Sequence, residues 1–158
     1  MKVLAGRLLF ALLGGALCVS AASAQAETRD CYGAPSSTRL IISVDGVRST
    51  KGYVVANLYG PDKRRFLADN GWLVVWREPA QPKSTQMCIF LPAPGDYALV
   101  VFHDANSNGD LDVGPFGPRE GYGFSNNVRP FFSAPSLESA KFKAAEGDTT
   151  LHIRLHYP

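Results

Sequence analysis

Residues 97–127 read YALVVFHDANSNGDLDVGPFGPREGYGFSNN, and this stretch determines how the rest of the chain is interpreted. Its opening segment, YALVVF, is a nearly continuous apolar run, which predicts a central β-strand that is covered on both faces. A polar loop follows, and the irregular connection over residues 113–136 is long for a compact domain. Connections of this length are usually functional or disordered, and the aromatic side chains here, including Phe131 and Phe132, favour an ordered one.

Side chains that carry oxygen occur at every second position directly after this strand. They are Asp104, Asn106, Asn108, Asp110 and Asp112, and Gly109 follows the third of them. This spacing matches the first part of a D-x-[DN]-x-[DN]-G calcium loop, in which oxygens surround a hard cation while glycine allows a sharp turn. The sequence therefore predicts a calcium site in residues 104–112, to which Asp110 contributes its backbone carbonyl.

The loop departs from the helical calcium-binding hand at two points. Pro115 occupies the position of the bidentate glutamate, and the segment that enters the loop is a strand. A bound cation therefore needs its remaining carboxylate from Asp112 or from Glu120. The alternative is a polar hairpin loop in which Asp and Asn side chains bond their own backbone and Asn108 and Gly109 supply positive φ.

The N-terminus has the order of a secretory signal peptide. Basic residues precede an apolar run over residues 8–19 and the small-residue segment SAASAQA. We expect cleavage after Ala24 or Ala26 and a periplasmic or secreted protein. The apolar run is too short for a stable membrane span.

Cleavage of residues 1–26 leaves an N-terminal segment, residues 27–37, and a single domain, residues 38–158. Two of the 16 basic residues and none of the 14 acidic residues lie in the signal peptide, so the processed chain has no net charge. It has no basic stripe that would indicate nucleic acid binding. Its two cysteines, Cys31 and Cys88, predict a disulfide in an oxidising compartment, with two buried free thiols as the alternative.

Short alternating or apolar segments with Gly and Pro between them predict about seven strands. They cover residues 38–44, 52–59, 72–77, 85–91, 97–102, 139–144 and 149–157. We expect the first two to be hairpin partners or near neighbours, and the last two to form a hairpin across residues 146–148. One or two helical turns fit residues 61–69. The fold class that follows is all-β, a two-layer antiparallel sandwich with one short helical turn.

Four blocks occur in a distinctive order along the chain. They are LPAPGDYALVVFHDANSNGDLD at residues 91–112, PREGYGFSNN at 118–127, ESAKF at 138–142 and IRLHY at 153–157. Together they resemble a family of small exported bacterial proteins that is known only as a domain of unknown function. The resemblance covers nearly all of residues 38–157 and implies an immunoglobulin-like or transthyretin-like sandwich. It implies no activity, because none is established for that family.

The first functional hypothesis is a non-catalytic binding or structural module whose long loop is stiffened by calcium. The loop would hold Tyr122, Phe124, Ser125 and Asn126 as a binding surface. Exposed aromatic rings there would stack on a carbohydrate or on a peptide or protein ligand, whereas buried rings would be ordinary core residues.

Two alternatives remain open from the sequence. A hydrolase would use His103, Asp104 and Glu120, with Ser125 nearby in sequence. Ser125 lacks a G-x-S-x-G pattern, and adjacent strand residues point to opposite faces, so we assign no catalytic residue. The other alternative is an assembly partner that offers an edge strand to another chain.

Overall fold

The computed structural model describes residues 30–130 and 133–158. The predicted signal peptide, and Phe131 and Phe132, lie outside the described residues. The first half of the described chain contains β1 (Thr38–Val47), β2 (Tyr53–Tyr59), β3 (Val74–Pro79), β4 (Lys83–Leu91) and β5 (Gly95–Asp104). Next come β6 (Val113–Gly114), β7 (Gly117–Pro118), β8 (Tyr122–Phe124), a 3₁₀ turn (Ser125–Asn127), α1 (Leu137–Ala140), β9 (Lys141–Ala144) and β10 (Gly147–Arg154).

Two sheets contain most of these strands. The three-stranded sheet has the order β10-β1-β4, and the five-stranded sheet has the order β3-β2-β5-β8, with β9 also paired to β5. All pairings in these sheets are antiparallel except that of β1 with β10, which is parallel. The all-β prediction is confirmed, and the parallel pair is a correction to the expected antiparallel arrangement.

Alternate residues of the long strands point into the space between the two sheets. The buried side chains there include Leu40, Ile42, Val44, Val54, Leu58, Met87, Ile89, Leu99, Val101 and Ile153. Burial of an aliphatic side chain of this size contributes about 1.5–3 kcal/mol relative to exposure. This core is therefore the main source of stability, and the period-2 pattern in the sequence is its direct cause.

Strand β5 is buried on both faces, as its apolar sequence predicts. Leu99 and Val101 face the core between the sheets, while Ala98 and Val100 belong to a second apolar cluster on the opposite face. Phe124, together with Leu137 and Ala140 of α1, completes that second cluster. The segments that follow β5 in sequence therefore fold back over the outer face of the five-stranded sheet.

Neither of the two predicted hairpins forms, although the strands themselves are present. β1 and β2 lie in different sheets, and the expected terminal hairpin does not form, because β9 pairs with β5 whereas β10 pairs with β1. Residues 145–146 thus carry the chain from one sheet to the other. Each strand has an apolar inner face that either sheet can bury, so a short turn does not by itself distinguish a hairpin from a crossing.

The short helix also differs from its predicted location. Residues 61–69 form turns. Leu67 within them and Asn70 directly after them have φ values of 60° and 55°, which are incompatible with a right-handed helix. The helical turn is α1, where Ser136 caps the N-terminus by accepting a hydrogen bond from the Ser139 amide. Neither helix in the described residues is long and apolar enough to cross a membrane.

The disulfide predicted from the sequence joins Cys31 to Cys88 of β4. Next to it, the Tyr32 amide donates to the Cys88 carbonyl at 2.9 Å, and the Phe90 amide donates to the Tyr32 carbonyl at 2.8 Å. The Tyr32 ring stacks on Trp76 of β3, with ring centroids 4.1 Å apart. The N-terminal segment therefore covers part of the edge of β4 and links the two sheets.

Replacement of both cysteines by serine should lower the free energy of unfolding. The bridged residues are 57 positions apart, and the chain-entropy model gives about 4 kcal/mol for a loop of that length. Urea unfolding of Cys31→Ser/Cys88→Ser and of the wild type measures the difference, and reduced wild type should match the variant.

Alkylation of folded, unreduced protein should add no label, as measured by intact mass. Two added labels would contradict the disulfide.

Candidate functional site

The polar loop, residues 104–112, is organised by the carboxylate that ends β5. Asp104 is completely buried. Its Oδ1 atom accepts a hydrogen bond from the Asn108 amide at 3.0 Å, and its Oδ2 atom accepts one from the Gly109 amide at 2.9 Å. Gly109 has a φ of 90°, a conformation that glycine adopts without steric cost. The loop therefore curls around the Asp104 side chain.

Two asparagines connect the middle of the loop to its end. The Oδ1 atoms of Asn106 and Asn108 accept from the amides two residues ahead, at 3.1 and 2.9 Å. Their Nδ2 groups both donate to the Asp112 carboxylate, at 2.9 and 3.0 Å. The two amide groups thus supply the partial positive charge that surrounds Asp112.

Glu120 reaches the loop from a later segment of the chain. A calcium ligand from that segment would need to lie at this position. Its Oε1 atom accepts from the Ala105 amide at 3.0 Å, and its Oε2 atom accepts from the Asp112 amide at 3.3 Å. The Arg119 amide donates to the Asp112 carbonyl at 2.8 Å. We call Asp104, Asn106, Asn108, Asp112 and Glu120 the loop cluster. Asp110 is not part of this cluster, and it lines the cleft described below.

The loop cluster has no cationic partner in the described residues. No Lys, Arg or His there forms an ion pair with Asp104, Asp112 or Glu120. Within the same part of the chain, no group of three or more His, Cys, Asp or Glu side chains is arranged to hold a metal ion. The hydrogen bonds fit the polar-turn alternative, and the calcium site stays a prediction that depends on the amide oxygens.

His103 is held by two hydrogen bonds on the other side of β5. Its Nε2 atom lies 2.8 Å from the Lys51 carbonyl, and its Nδ1 atom lies 2.8 Å from the Tyr157 hydroxyl. A carbonyl only accepts, so Nε2 carries the proton of the hydrogen bond to Lys51. Burial raises the pKa of Tyr157, and the Arg48 amide and charge oppose that shift. Gly121 leaves room for the Tyr157 ring, which a Cβ would overlap.

In the described residues, no side-chain hydrogen bond joins any two of the residues of the hydrolase alternative, His103, Asp104, Glu120 and Ser125. His103 binds Tyr157 and Lys51, whereas the Asp104 carboxylate binds loop amides. Ser125 is completely buried, accepts from the Leu99 amide at 2.9 Å and donates to the Ala140 carbonyl. These contacts give Ser125 the role of a link between β5 and α1.

The predicted binding surface is largely internal. Ser125 is 0% exposed and contributes to no surface, and Phe124 is 6% exposed and contributes only to the wall of a small cavity. The cause is the pairing of β8 with β5, which turns the Phe124 ring into the second apolar cluster. Tyr122 is half-buried and packs edge-on against Phe124. Asn126 is exposed, but its Nδ2 group donates to the Ser139 and Lys141 carbonyls.

A cleft that the sequence does not predict lies on the outer face of the five-stranded sheet. This outer cleft has a volume of about 510 Å³, and residues from both the 61–72 turn and the polar loop line it. Burial raises the pKa of Tyr59 in its floor, and a hydrogen bond from Asn57 opposes that shift. The only local signal for this cleft in the sequence is the apolar pair Leu67 and Trp72 beside a polar turn. That signal is weak, because five separate segments of the chain line the cleft.

Comparison with known proteins identifies a family. A family model described as an uncharacterized protein conserved in bacteria (DUF2141) matches residues 42–152. The chain belongs to this family. The resemblance to an uncharacterised bacterial family is thereby confirmed, and the DUF2141 match includes β5, the polar loop and Glu120. No curated protein and no solved structure matches the chain.

Ser125→Ala should destabilise the DUF2141 domain. It leaves the buried Leu99 amide and Ala140 carbonyl without the partners they have now, at a cost of about 2–4 kcal/mol in the free energy of unfolding. Urea unfolding measures this, with Ser37→Ala as a control at an exposed position. A variant of wild-type stability that had lost a hydrolytic activity present in the wild type would instead identify Ser125 as a nucleophile.

Proposed function

We propose that this DUF2141 protein is an exported, non-catalytic β-sandwich module whose polar loop binds calcium. The loop cluster is the observation that carries the proposal. It gathers five oxygen-bearing side chains from two segments at the end of a buried strand, and its three carboxylates have no cationic partner in residues 30–130 or 133–158. A calcium ion takes six to eight oxygen ligands and supplies the missing positive charge.

The asparagines explain how the loop accommodates the ion. Their Nδ2 groups now point at the Asp112 carboxylate, where they act as partial positive charges. A cation between these groups replaces that charge. Each side chain then releases the backbone N–H from which its Oδ1 atom now accepts and turns Oδ1 toward the ion, which is a ligand that calcium accepts readily. Asp110 contributes its backbone carbonyl, as the spacing predicts.

Glu120 compensates for Pro115 in this scheme. The proline occupies the position of the usual bidentate glutamate. The β6–β7 hairpin, Val113–Gly114 with Gly117–Pro118, reverses the chain direction and returns Glu120 to the loop. Its carboxylate is already within hydrogen-bonding distance of both ends of the loop, so calcium needs only a short movement of that side chain.

Two further observations support an exported, non-catalytic role. The N-terminal 26 residues have signal-peptide order, and a disulfide suits an oxidising compartment. The hydrogen-bonding groups of His103 and Ser125 are engaged in holding the fold together. An assembly role through an edge strand stays an alternative, although Tyr32 covers part of the β4 edge.

Calcium should raise the melting temperature of the processed protein. Loops in extracellular modules bind calcium with dissociation constants of roughly 0.1–1 mM. At the tight end, about 1 mM calcium stabilises the fold by about 1.4 kcal/mol, which corresponds to a shift of about 4–8 °C. Magnesium should give a smaller shift, because the flexible loop cannot impose a small octahedral cage. Calorimetry in calcium, magnesium and chelator measures these shifts.

The variants locate the ion. The calcium shift should vanish in Asp104→Ala and Asp112→Ala and shrink in Glu120→Gln, while Glu146→Gln, at an exposed position between β9 and β10, keeps it. Asp112→Ala remains informative if the loss of the buried Asp104 prevents folding. A wild-type melting temperature that is the same in chelator and in several millimolar calcium would reduce the loop to a polar turn.

A further inference from the structure

The outer cleft has the size and chemistry of a ligand site. Its volume of about 510 Å³ lies within the range of roughly 300–1,000 Å³ that small ligands occupy in proteins. The floor contains the buried side chains of Val100 and Phe102 from β5. Trp72 and Leu111 add apolar surface from the two flanking segments. The base of the cleft is therefore largely hydrocarbon.

Planar polar groups of both charges surround this apolar base. Asp69 belongs to the 61–72 turn, Arg77 to β3 and Asp110 to the polar loop, and all three are exposed. None of them forms an ion pair with another described residue. Carboxylates accept hydrogen bonds in pairs, and a guanidinium donates them in pairs. This combination suits a neutral ligand with many hydroxyl groups and apolar C–H faces.

A second cavity lies beside the outer cleft. It has a volume of about 440 Å³ and shares Leu67, Val100, Leu111 and Val113 with the outer cleft. The two cavities are therefore adjacent on the same sheet. Two adjacent spaces of this size favour a ligand of linked units over a single small metabolite.

An extended peptide fits the cleft less well than a sugar chain. Peptides that bind sheets usually pair their backbone with an open strand edge. The floor here is a sheet face, in which β2 is paired with both β3 and β5, and β5 is also paired with β8 and β9. β2 and β5 therefore have neighbours on both sides, whereas β3, which lines the cleft through Val75 and Arg77, is the edge strand of this sheet. A peptide backbone lying on this face would find few partners, whereas sugar hydroxyls need only the polar side chains at the rim.

We infer that the outer cleft binds a neutral oligosaccharide. The inference rests on the proposed binding role and names its ligand class. The calcium loop forms one wall of the cleft through Gly109, Asp110 and Leu111. The Arg77 Nη2 atom lies 3.3 Å from the position that a Cβ on Gly109 would take. Calcium therefore sets the position of this wall, and sugar binding depends on calcium in turn.

Affinity electrophoresis tests the inference on the processed protein. The gels contain one of four neutral polymers or oligomers: an α-glucan, a β-glucan, a galactomannan or an oligomer of β-linked N-acetylglucosamine. At least one should retard the wild type in calcium. Asp69→Ala and Arg77→Gln should each weaken retardation about tenfold or more, because each removes a charged hydrogen-bonding group. Glu146→Gln is the matched charge control and should behave as the wild type.

The outcomes separate the cleft from the calcium loop. A calcium-dependent melting shift without retardation by any of the four sugars overturns the cleft inference and leaves the calcium proposal intact. Equal retardation in chelator and in calcium contradicts the dependence of sugar binding on calcium, and it supports only the inference that the cleft binds sugar. Retardation that Asp69→Ala and Arg77→Gln do not change places binding outside the cleft and overturns the inference. Binding of an acidic polysaccharide or of an apolar peptide alone would replace the neutral sugar with that ligand.

Discussion

The burial of β5 on both faces is the constraint on which the rest of the structure depends. One face of the strand completes the core between the two sheets. The other face points away from the three-stranded sheet, so other segments of the chain must cover it. The chain solves this with the segments that follow β5, which return as β8, the 3₁₀ turn and α1. Ser125 then fixes α1 to β5 by side-chain hydrogen bonds to backbone groups. The serine in the block PREGYGFSNN is therefore explained by the need to cover an apolar strand.

The same constraint places the functional candidates. Because β5 ends in the buried Asp104, the loop begins from a fixed point and its amides fold around that carboxylate. The loop then lies over the outer face of the sheet, where Arg77 of β3 meets Gly109. The loop cluster and the outer cleft therefore lie on opposite sides of the same loop. Its oxygen-bearing side chains turn toward Asp112, and its Leu111 side turns toward the cleft.

The sequence predicted local structure well and long-range pairing poorly. Short alternating or continuously apolar segments located the seven longer strands, because burial of one face imposes a period of two and burial of both faces removes the polar positions. It did not assign strands to sheets, since an apolar face such as that of β10 packs equally well from either layer. For the site, regular spacing revealed the loop, and Glu120 followed from charge requirements. The burial of Phe124 and the existence of the cleft depend on segments that meet only after folding, so no local pattern encoded them.

The parallel pairing of β1 with β10 has a consequence for how the domain folds. Arg39 and Asp148, which form a bidentate ion pair across these strands, are 109 positions apart in the chain. Closing so large a loop costs conformational entropy before any contact repays it. The three-stranded sheet therefore stays incomplete until almost the whole chain is present, and we expect folding in the millisecond-to-second range that is typical of non-local β topologies. Until β10 pairs with it, β1 keeps an open edge, and an open strand edge favours aggregation during folding.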